Sequence, residues 1–320
     1  MRIAGRLAAA VAALLCAAPP QPACAQAWPT KPVKLMVAFA AGGPVDLVAR
    51  EVGMRLASEI GKPVTVENQG GAGGKIALIN VARAEPDGHT LLFGASGNVI
   101  IHPLVDKDMS VVDQLAPVSL VSSSAHVLTV NPRLLVHTVK ELIDYAKANP
   151  GKLHFGSAGT GAAAHLGMEM LKLLAGIDIV HVPYRGTSQA VVDVVSGQIE
   201  ATFSSMPSLK GMIDQGSLRP LGMTAPNRSD SGLPLISDTV PGFGYTVWYG
   251  VFAPLKTPPP VIEQINVAVR KVVTDKALQQ KLAVQGLEMV SSTPDELVAF
   301  MQQDRDRWAK VITAANVSLK

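Results

Sequence analysis

The chain has 320 residues, 28 Lys+Arg against 25 Asp+Glu, a formal net charge of +3, and only 4% aromatic residues. No Lys/Arg run exceeds two residues, so the basic stripe with stacking aromatics that nucleic-acid binding requires is missing. Both cysteines, Cys16 and Cys24, fall within the first 25 residues, which excludes a disulfide scaffold, a thiolate metal site and cysteine catalysis from the rest of the chain.

The first segment reads as a secretory leader. Arg2 and Arg6 make a basic start and residues 7–18 an apolar core. That core is shorter than the ~20 residues a membrane span requires. Ala23-Cys24-Ala25 fits a small-x-small cleavage site, giving a leader of residues 1–25; Ala25-Gln26-Ala27 is a second such site. Gln21-Pro22-Ala23 before Cys24 does not suit lipid attachment. Without Arg2 and Arg6 the Lys+Arg count falls from 28 to 26 against 25 acids, a net charge of +1. A remainder of this length can bury a substantial core and suggests two domains.

Strand-like and helix-like patterns alternate from there on. Strand-like runs occupy residues 33–39, 64–67, 90–94, 118–121, 127–131, 153–156, 179–182, 199–203 and 218–224. Helix-like runs occupy 45–60, 76–84, 139–148, 162–175, 188–196, 261–273 and 294–315. The last carries Thr293 as N-cap with Glu296 as its reciprocal partner. Such alternation predicts an α/β architecture with parallel sheets covered by helices. A small polar break at Ser122-Ser123-Ser124-Ala125-His126 and an apolar run at 248–254 read as two crossings between lobes. They predict a discontinuous first lobe, 28–125 plus 248–320, and a second lobe, 126–247, with a hinge between them.

Four loops share one geometry, a strand running into a glycine turn and then a helix start. They are Ala40 to Asp46, Gly94-Ala95-Ser96-Gly97-Asn98, Gly156-Ser157-Ala158-Gly159-Thr160-Gly161, and Tyr184-Arg185-Gly186-Thr187-Ser188. Free backbone N–H groups at the positive end of a helix dipole bind anions without a basic side chain. In open α/β sheets, ligands bind beyond the carboxyl ends of the strands, where all four loops fall. A lone glycine turn usually serves only the turn; it is the fourfold recurrence, two loops per predicted lobe, that points to an anion held in a cleft.

Other motifs fail on inspection. Gly159-Thr160-Gly161-Ala162-Ala163-Ala164 matches a dinucleotide fingerprint, but Asp178 precedes the following strand instead of ending it. Gly70-Gly71-Ala72-Gly73-Gly74-Lys75 has Ile76 where a phosphate loop needs Ser or Thr for magnesium, and reads as a flexible loop. The seven histidines form no zinc-binding pair, and there is no Gly-x-Ser-x-Gly elbow. No metal, cofactor or catalytic residue is expected. His165 suits packing or hydrogen bonding better than base catalysis. Asp46 stands in a first helical turn, where a dipole-matched acid is ordinary, although it can hold a loop closed or order a water.

These residues resemble a known family, the periplasmic solute receptors of tripartite tricarboxylate transporters, also called Bug proteins. The resemblance runs from Trp28 to the C-terminus. It rests on Trp28-Pro29-Thr30-Lys31-Pro32-Val33, Phe39-Ala40-Ala41-Gly42-Gly43-Pro44-Val45-Asp46, Val66-Glu67-Asn68-Gln69-Gly70-Gly71 and Ala84-Glu85-Pro86-Asp87-Gly88-His89. Further along, Ser157-Ala158-Gly159-Thr160-Gly161 with His165-Leu166, and His181-Val182-Pro183-Tyr184-Arg185-Gly186, continue it. The resemblance implies a two-lobed type 2 periplasmic-binding-protein fold. It also implies a small organic acid as ligand (citrate-like acids, dicarboxylates, acidic amino acids, nicotinate or aromatic acids) and delivery to an inner-membrane permease. Carried over residue by residue, the expected ligand-binding set is Phe39, Ala41, Gly42, Gly43, Asp46, Ser96, Gly97, Asn98, Ser157, Thr160, Gly161, Ala162 and His165, with Tyr184 and Ser204 beside them. A monomer in the periplasm is the expected state.

Three departures from the family pattern bear on the ligand. Pro44 replaces a small hydroxyl residue, Ala162 replaces a serine, and Ser204-Ser205 stand where an acid is common. Proline suits the first helical turn but removes one N–H from the loop. The expected consequence is a ligand with a larger apolar or aromatic body and as few as one carboxylate. Two other readings compete: a ligand-gated receptor for a sensor protein, and an extracytoplasmic enzyme acting on a small acid.

Overall fold

A computed structural model describes residues 28–71, 74–184, 186–225, 232–284 and 286–316. The expected leader, Ala72, Gly73, Arg185 and residues 226–231 lie outside the described residues, as do the side chains of residues 107–109.

Two sheets organise the chain. The first contains β1 (Val33–Val37), β2 (Val64–Asn68), β3 (Thr90–Ala95), β4 (Leu115–Ser124), β10 (Val247–Pro254) and β11 (Leu287–Met289), in the order β11-β4-β10-β3-β1-β2. The second contains β5 (His126–Val130), β6 (His154–Ser157), β7 (Val180–Pro183), β8 (Ala201–Ser205) and β9 (Arg219–Met223), in the order β7-β6-β8-β5-β9. Helices cover both sheets: α1 (Pro44–Ile60), α2 (Lys75–Ala82), α3 (His102–Val105), α4 (Val139–Ala148), α5 (Ala163–Ala175), α6 (Thr187–Ser196), α7 (Met206–Asp214), α8 (Pro259–Val273), α9 (Lys276–Ala283) and α10 (Pro294–Ala315).

The expectation of parallel sheets needs correction, because both sheets are mixed. β1 pairs parallel with β2 and β3, and β6 parallel with β7 and β8. β10 runs antiparallel to both β3 and β4, and β5 antiparallel to both β8 and β9. The reversal follows from the connections. A strand entered through a helical crossover lies parallel to its neighbour, whereas a strand by which the chain changes sheet arrives from the opposite end.

The chain leaves the first sheet at Ser124 and enters the second at His126, with buried Ala125 between. It returns between Tyr245 and Val247, and Val247 pairs with Ser124. Both passages therefore lie side by side. They are packed with aromatic rings: Tyr245 meets Trp308 of α10 edge-on at 5.4 Å and His126 at 5.6 Å. Tyr245, Trp248 and Trp308 are among the largest fully buried side chains. α10 begins with a capping box, in which Thr293 Oγ1 accepts from the Glu296 N–H and Glu296 Oε2 accepts from the Thr293 N–H. It packs on β4 of the first sheet and also on α5 of the second. No described helix is long and apolar enough to cross a membrane.

Candidate functional site

The first loop follows β1. Gly42 takes the left-handed region, φ 83°, and Gly43 is the extended N-cap of α1 with Pro44 behind it. Asp46 is buried at 4% exposure. Its carboxylate accepts hydrogen bonds from the Gly42 N–H at 2.9 Å, Arg50 Nε at 3.0 Å and Asn68 Nδ2 at 2.9 Å. Burial opposes its ionisation. The bonds from Arg50, Gly42 and Asn68 outweigh burial and hold the carboxyl below the usual carboxylate range. Asn68 also donates to the Phe39 carbonyl at 3.2 Å. Asp46 thus fastens the loop from beneath. Ala41 and Gly42 are exposed at its crest, Phe39 is half-buried at its base, and an ideal Cβ on Gly42 would meet nothing within 4 Å.

The second loop follows β3 and is a π-helical turn, Gly97–Ile101, leading directly into α3. π turns concentrate at functional sites because the extra residue re-aims side chains. Asn98 is fully buried. Its Oδ1 accepts from the Ala95 N–H at 2.8 Å, and its Nδ2 has no protein partner. Ser96, 1% exposed, also has an unpartnered hydroxyl. Gly97 faces open space, with nothing within 4 Å of an ideal Cβ.

The third loop follows β6. Ser157 is fully buried, and its hydroxyl lies 2.9 Å from the Gly159 carbonyl, 3.1 Å from the Gly159 N–H and 2.7 Å from His181 Nε2. Gly161, φ 79°, donates its N–H to His165 Nδ1 at 3.1 Å. The rings of His165 and His181 stack at 3.9 Å, with Phe155 stacked on His181 at 4.8 Å. Burial, then the charges of His181 and Lys172, push the His165 pKa down to about 3. Burial and Lys172 push that of His181 down to about 4. Both rings are therefore neutral at pH 7, and the Nδ1 of His165 is an acceptor. These two histidines and Ser157 shape the loop that presents Thr160, Gly161 and Ala162, the last being the uncapped N-cap of α5.

The fourth position, Tyr184, lies at the end of the edge strand β7. Its hydroxyl donates to Asp193 Oδ2 at 2.6 Å. Burial and Asp193 push its pKa up to about 12. Its ring edge rests 3.1 Å from an ideal Cβ on Gly156, so the tyrosine braces β6 against α6.

The end of β8 adds two residues. Ser204 and Ser205 are 1% and 2% exposed, and neither hydroxyl has a protein partner. Ser205 is the N-cap of α7 yet makes no side-chain capping bond, unlike an ordinary N-cap serine. The expected strand stopped at residue 203, which left Ser205 out of the predicted set. His102 was also missed. It opens α3 in a stretch that the helix and strand periods left unassigned, and no sequence period marks a π turn. Its ring lies against Gly161, with Nε2 3.7 Å from an ideal Cβ there, and its Nδ1 is buried without a partner. Burial lowers its pKa against the opposing pull of Asp106 and the Thr160 backbone.

Ser96, Asn98, His102, Ser204 and Ser205 thus hold unpartnered polar atoms, at the carboxyl end of β8 or beyond that of β3. Buried polar atoms are nearly always hydrogen-bonded in folded proteins. Four of the five groups are hydroxyl or amide donors, the chemistry that receives a carboxylate. No described group of three or more His, Cys, Asp or Glu residues is placed to hold a metal.

Two mixed sheets flanked by helices and joined by paired crossings are the architecture of a two-lobed periplasmic binding protein. Structural neighbours share this architecture. Rpa4515 of R. palustris, solved with adipate, superposes with a TM-score of 0.86 at 31% identity, covering 91% of this chain and 99% of that one. MatC from Rhodopseudomonas palustris, solved with bound malate, superposes with a TM-score of 0.81 at 28% identity, covering 89% and 100%. Protein BugT of Bordetella pertussis (strain Tohama I) is 33% identical over 305 residues, 93% of this chain and 94% of BugT. The profile of the tripartite tricarboxylate transporter family receptor matches residues 48–317. The chain belongs to that receptor family.

Proposed function

We propose that this chain captures a small organic acid in the periplasm and passes it to the inner-membrane permease of a tripartite transporter, without chemical turnover. The observation that supports this most is the set of unpartnered buried donors on Ser96, Asn98, Ser204 and Ser205. A carboxylate oxygen supplies acceptors for such groups, and hydrogen bonds to a charged partner are the stronger kind. The α1 N-terminus adds N–H groups that have no intrahelical partner.

The ligand-contacting set in this reading is Phe39, Ala41, Gly42, Gly43, Ser96, Gly97, Asn98, Thr160, Gly161, Ala162 and Ser204, with Ser205 and His102 added. Asp46, Ser157, His165 and Tyr184 act from behind, since their polar atoms hold the loops in shape. The moving bodies are 28–125 plus 248–320 and 126–247, hinged where β4 and β10 leave the first sheet. Relatives solved with adipate and with malate support a short acid as ligand. Pro44 and Ala162 withhold two hydroxyls from the anion loops, which favours a ligand whose middle is apolar, aliphatic or aromatic. A cleaved leader over residues 1–25 would export the chain.

A thermal-shift screen against carboxylic acids tests the reading. An acid present at a hundred times its dissociation constant adds about 2.7 kcal/mol of stability, which shifts Tm by several degrees. Tight binding confined to citrate or short, fully polar dicarboxylates would refute the apolar-bodied ligand. Product formation from any bound acid would favour an enzyme. Ligand-dependent capture of a sensor domain instead of a permease would favour a signalling receptor.

A further inference from the structure

One imidazole straps the start of the described chain to the first lobe. His89 ends the loop between α2 and β3 and is 8% exposed. Its Nε2 accepts the Thr30 N–H at 3.1 Å and the Lys31 N–H at 3.4 Å. Two donors aimed at one nitrogen require a lone pair there, so the neutral ring carries its proton on Nδ1. Nδ1 lies 3.2 Å from Asp87 Oδ1, without the alignment of a hydrogen bond. Asp87 also accepts the His89 N–H at 3.0 Å and pairs with Lys31 Nζ at 2.8 Å. Trp28 completes the strap. Its indole N–H donates to the Gly88 carbonyl at 2.9 Å, and its backbone N–H donates to Gln264 Oε1 of α8 at 3.1 Å. Gly88, at φ 80°, makes the room, since an ideal Cβ there would sit 2.9 Å from the indole nitrogen and 2.5 Å from Val261 Cγ1.

The chain just beyond the strap is held by backbone alone. The Val33 N–H donates to the Pro63 carbonyl at 2.9 Å and the Lys34 N–H to the His89 carbonyl at 2.8 Å. β1 then pairs with β2 on one side and β3 on the other. None of these bonds uses an atom that titrates, whereas those of Thr30 and Lys31 do. Imidazole is the side chain whose ordinary charge change falls between pH 5 and 8. A proton on Nε2 turns the acceptor into a donor facing two donors, and both bonds are lost. The charged groups that the described contacts bring to the ring are Asp87 of its own loop, which attracts the cation, and Lys31 of the strap, which repels it. From α8 the strap and its loop meet uncharged Val261 and Gln264.

We propose that His89 is a proton-operated clasp. When neutral it holds residues 28–31 against the 83–89 loop and α8; when protonated it lets them go while both sheets stay paired. Release uncovers the slot between that loop and α8. The clasp involves neither the anion loops nor a bound acid, so it stands apart from the reading of the protein as a receptor.

The test uses protein from expression of the full sequence, labelled with nitrogen-15 and followed by NMR from pH 8 to pH 5, the range in which an ordinary imidazole titrates. Long-range proton–nitrogen spectra report which ring nitrogens of His89 carry protons. Amide exchange, corrected for the intrinsic effect of pH, reports Thr30 and Lys31, with Leu35, Met36 and Val37 of β1 as the control. Two hydrogen bonds of about 0.5–1.5 kcal/mol each correspond to roughly a 5- to 150-fold loss of protection. Thr30 and Lys31 should lose protection by that factor as Nε2 gains its proton, with β1 unchanged. His89→Gln, whose amide oxygen accepts N–H bonds and takes up no proton, should hold the strap at every pH. His89→Phe, which has no acceptor, should leave it loose at every pH. Constant strap protection while the ring titrates would overturn the clasp. So would a strap that loosens while Nε2 stays unprotonated, a ring that takes up no proton down to pH 5, or loss of protection in strap and β1 together. If either variant fails to fold, the comparison of ring and amides within the unsubstituted protein decides by itself.

Discussion

Replacing Ser204 by alanine separates binding from folding. Its hydroxyl is buried and unpartnered in the protein, so removing it relieves a desolvated polar group and should leave the ligand-free Tm unchanged or slightly higher. In the proposed site the same substitution removes a donor to a charged ligand. Such a bond is worth about 1.5–3 kcal/mol, so the Kd should rise by roughly 10- to 150-fold in calorimetry. Ser96→Ala should behave alike. Asp46→Ala should do the opposite and lower Tm, by about 1–3 kcal/mol for the polar groups it strands, because Gly42, Arg50 and Asn68 all donate to it. These residues differ in how well the sequence announces them. Ser96, Asn98 and Ser204 follow strand-like runs, so chain position alone flags them. The division of labour between a ligand-facing donor and a loop-holding one is not legible. It depends on which partner lies within 3 Å, as with Ser157 and His181, 24 residues apart.

The second-lobe loop depends on two uncharged rings. Each histidine has an ordinary pKa near 6.5 when unfolded, and values of about 3 for His165 and about 4 for His181 in the fold. The unfolded chain therefore binds more protons between those limits, so stability falls as pH drops from about 6.5 toward 4 and is unaffected above 7. At pH 5 the loss from His165 alone is on the order of 2 kcal/mol. Urea midpoints at pH 7 and pH 5 should show it, and His165→Gln should flatten the dependence. A pH-independent midpoint would contradict the burial of these rings. At this scale the helices with clear signals were legible. The 139–148 and 294–315 runs coincide with α4 and α10, where Thr138 and Thr293 cap the first turn. α7, α9 and the π turn were not read. α7 and α9 are short, and the π turn follows neither period. The antiparallel arrivals of β5 and β10 were hidden because strand direction is a tertiary property.

At the scale of the whole molecule, aromatic rings pack beside the two crossings between the sheets. Gly167 of α5 lets Tyr245 approach so closely that an ideal Cβ would sit 2.4 Å from its ring. Gly167→Ala should therefore destabilise the protein by about 1–3 kcal/mol through overpacking, seen as a lower Tm with or without acid. The α/β class and the two-lobed layout could be anticipated from element alternation and from the family's spaced motifs. The decisive measurement is titration calorimetry of the chain from Trp28 onward with a panel of aliphatic and aromatic acids, each beside its neutral amide. The proposed carboxylate site, read from the buried unpartnered donors, predicts that at least one acid binds tightly while its amide binds far more weakly, and that Ser204→Ala and Asn98→Ala abolish most of the difference. Equal affinity for acid and amide, or no heat with any acid, would contradict a site built for a carboxylate.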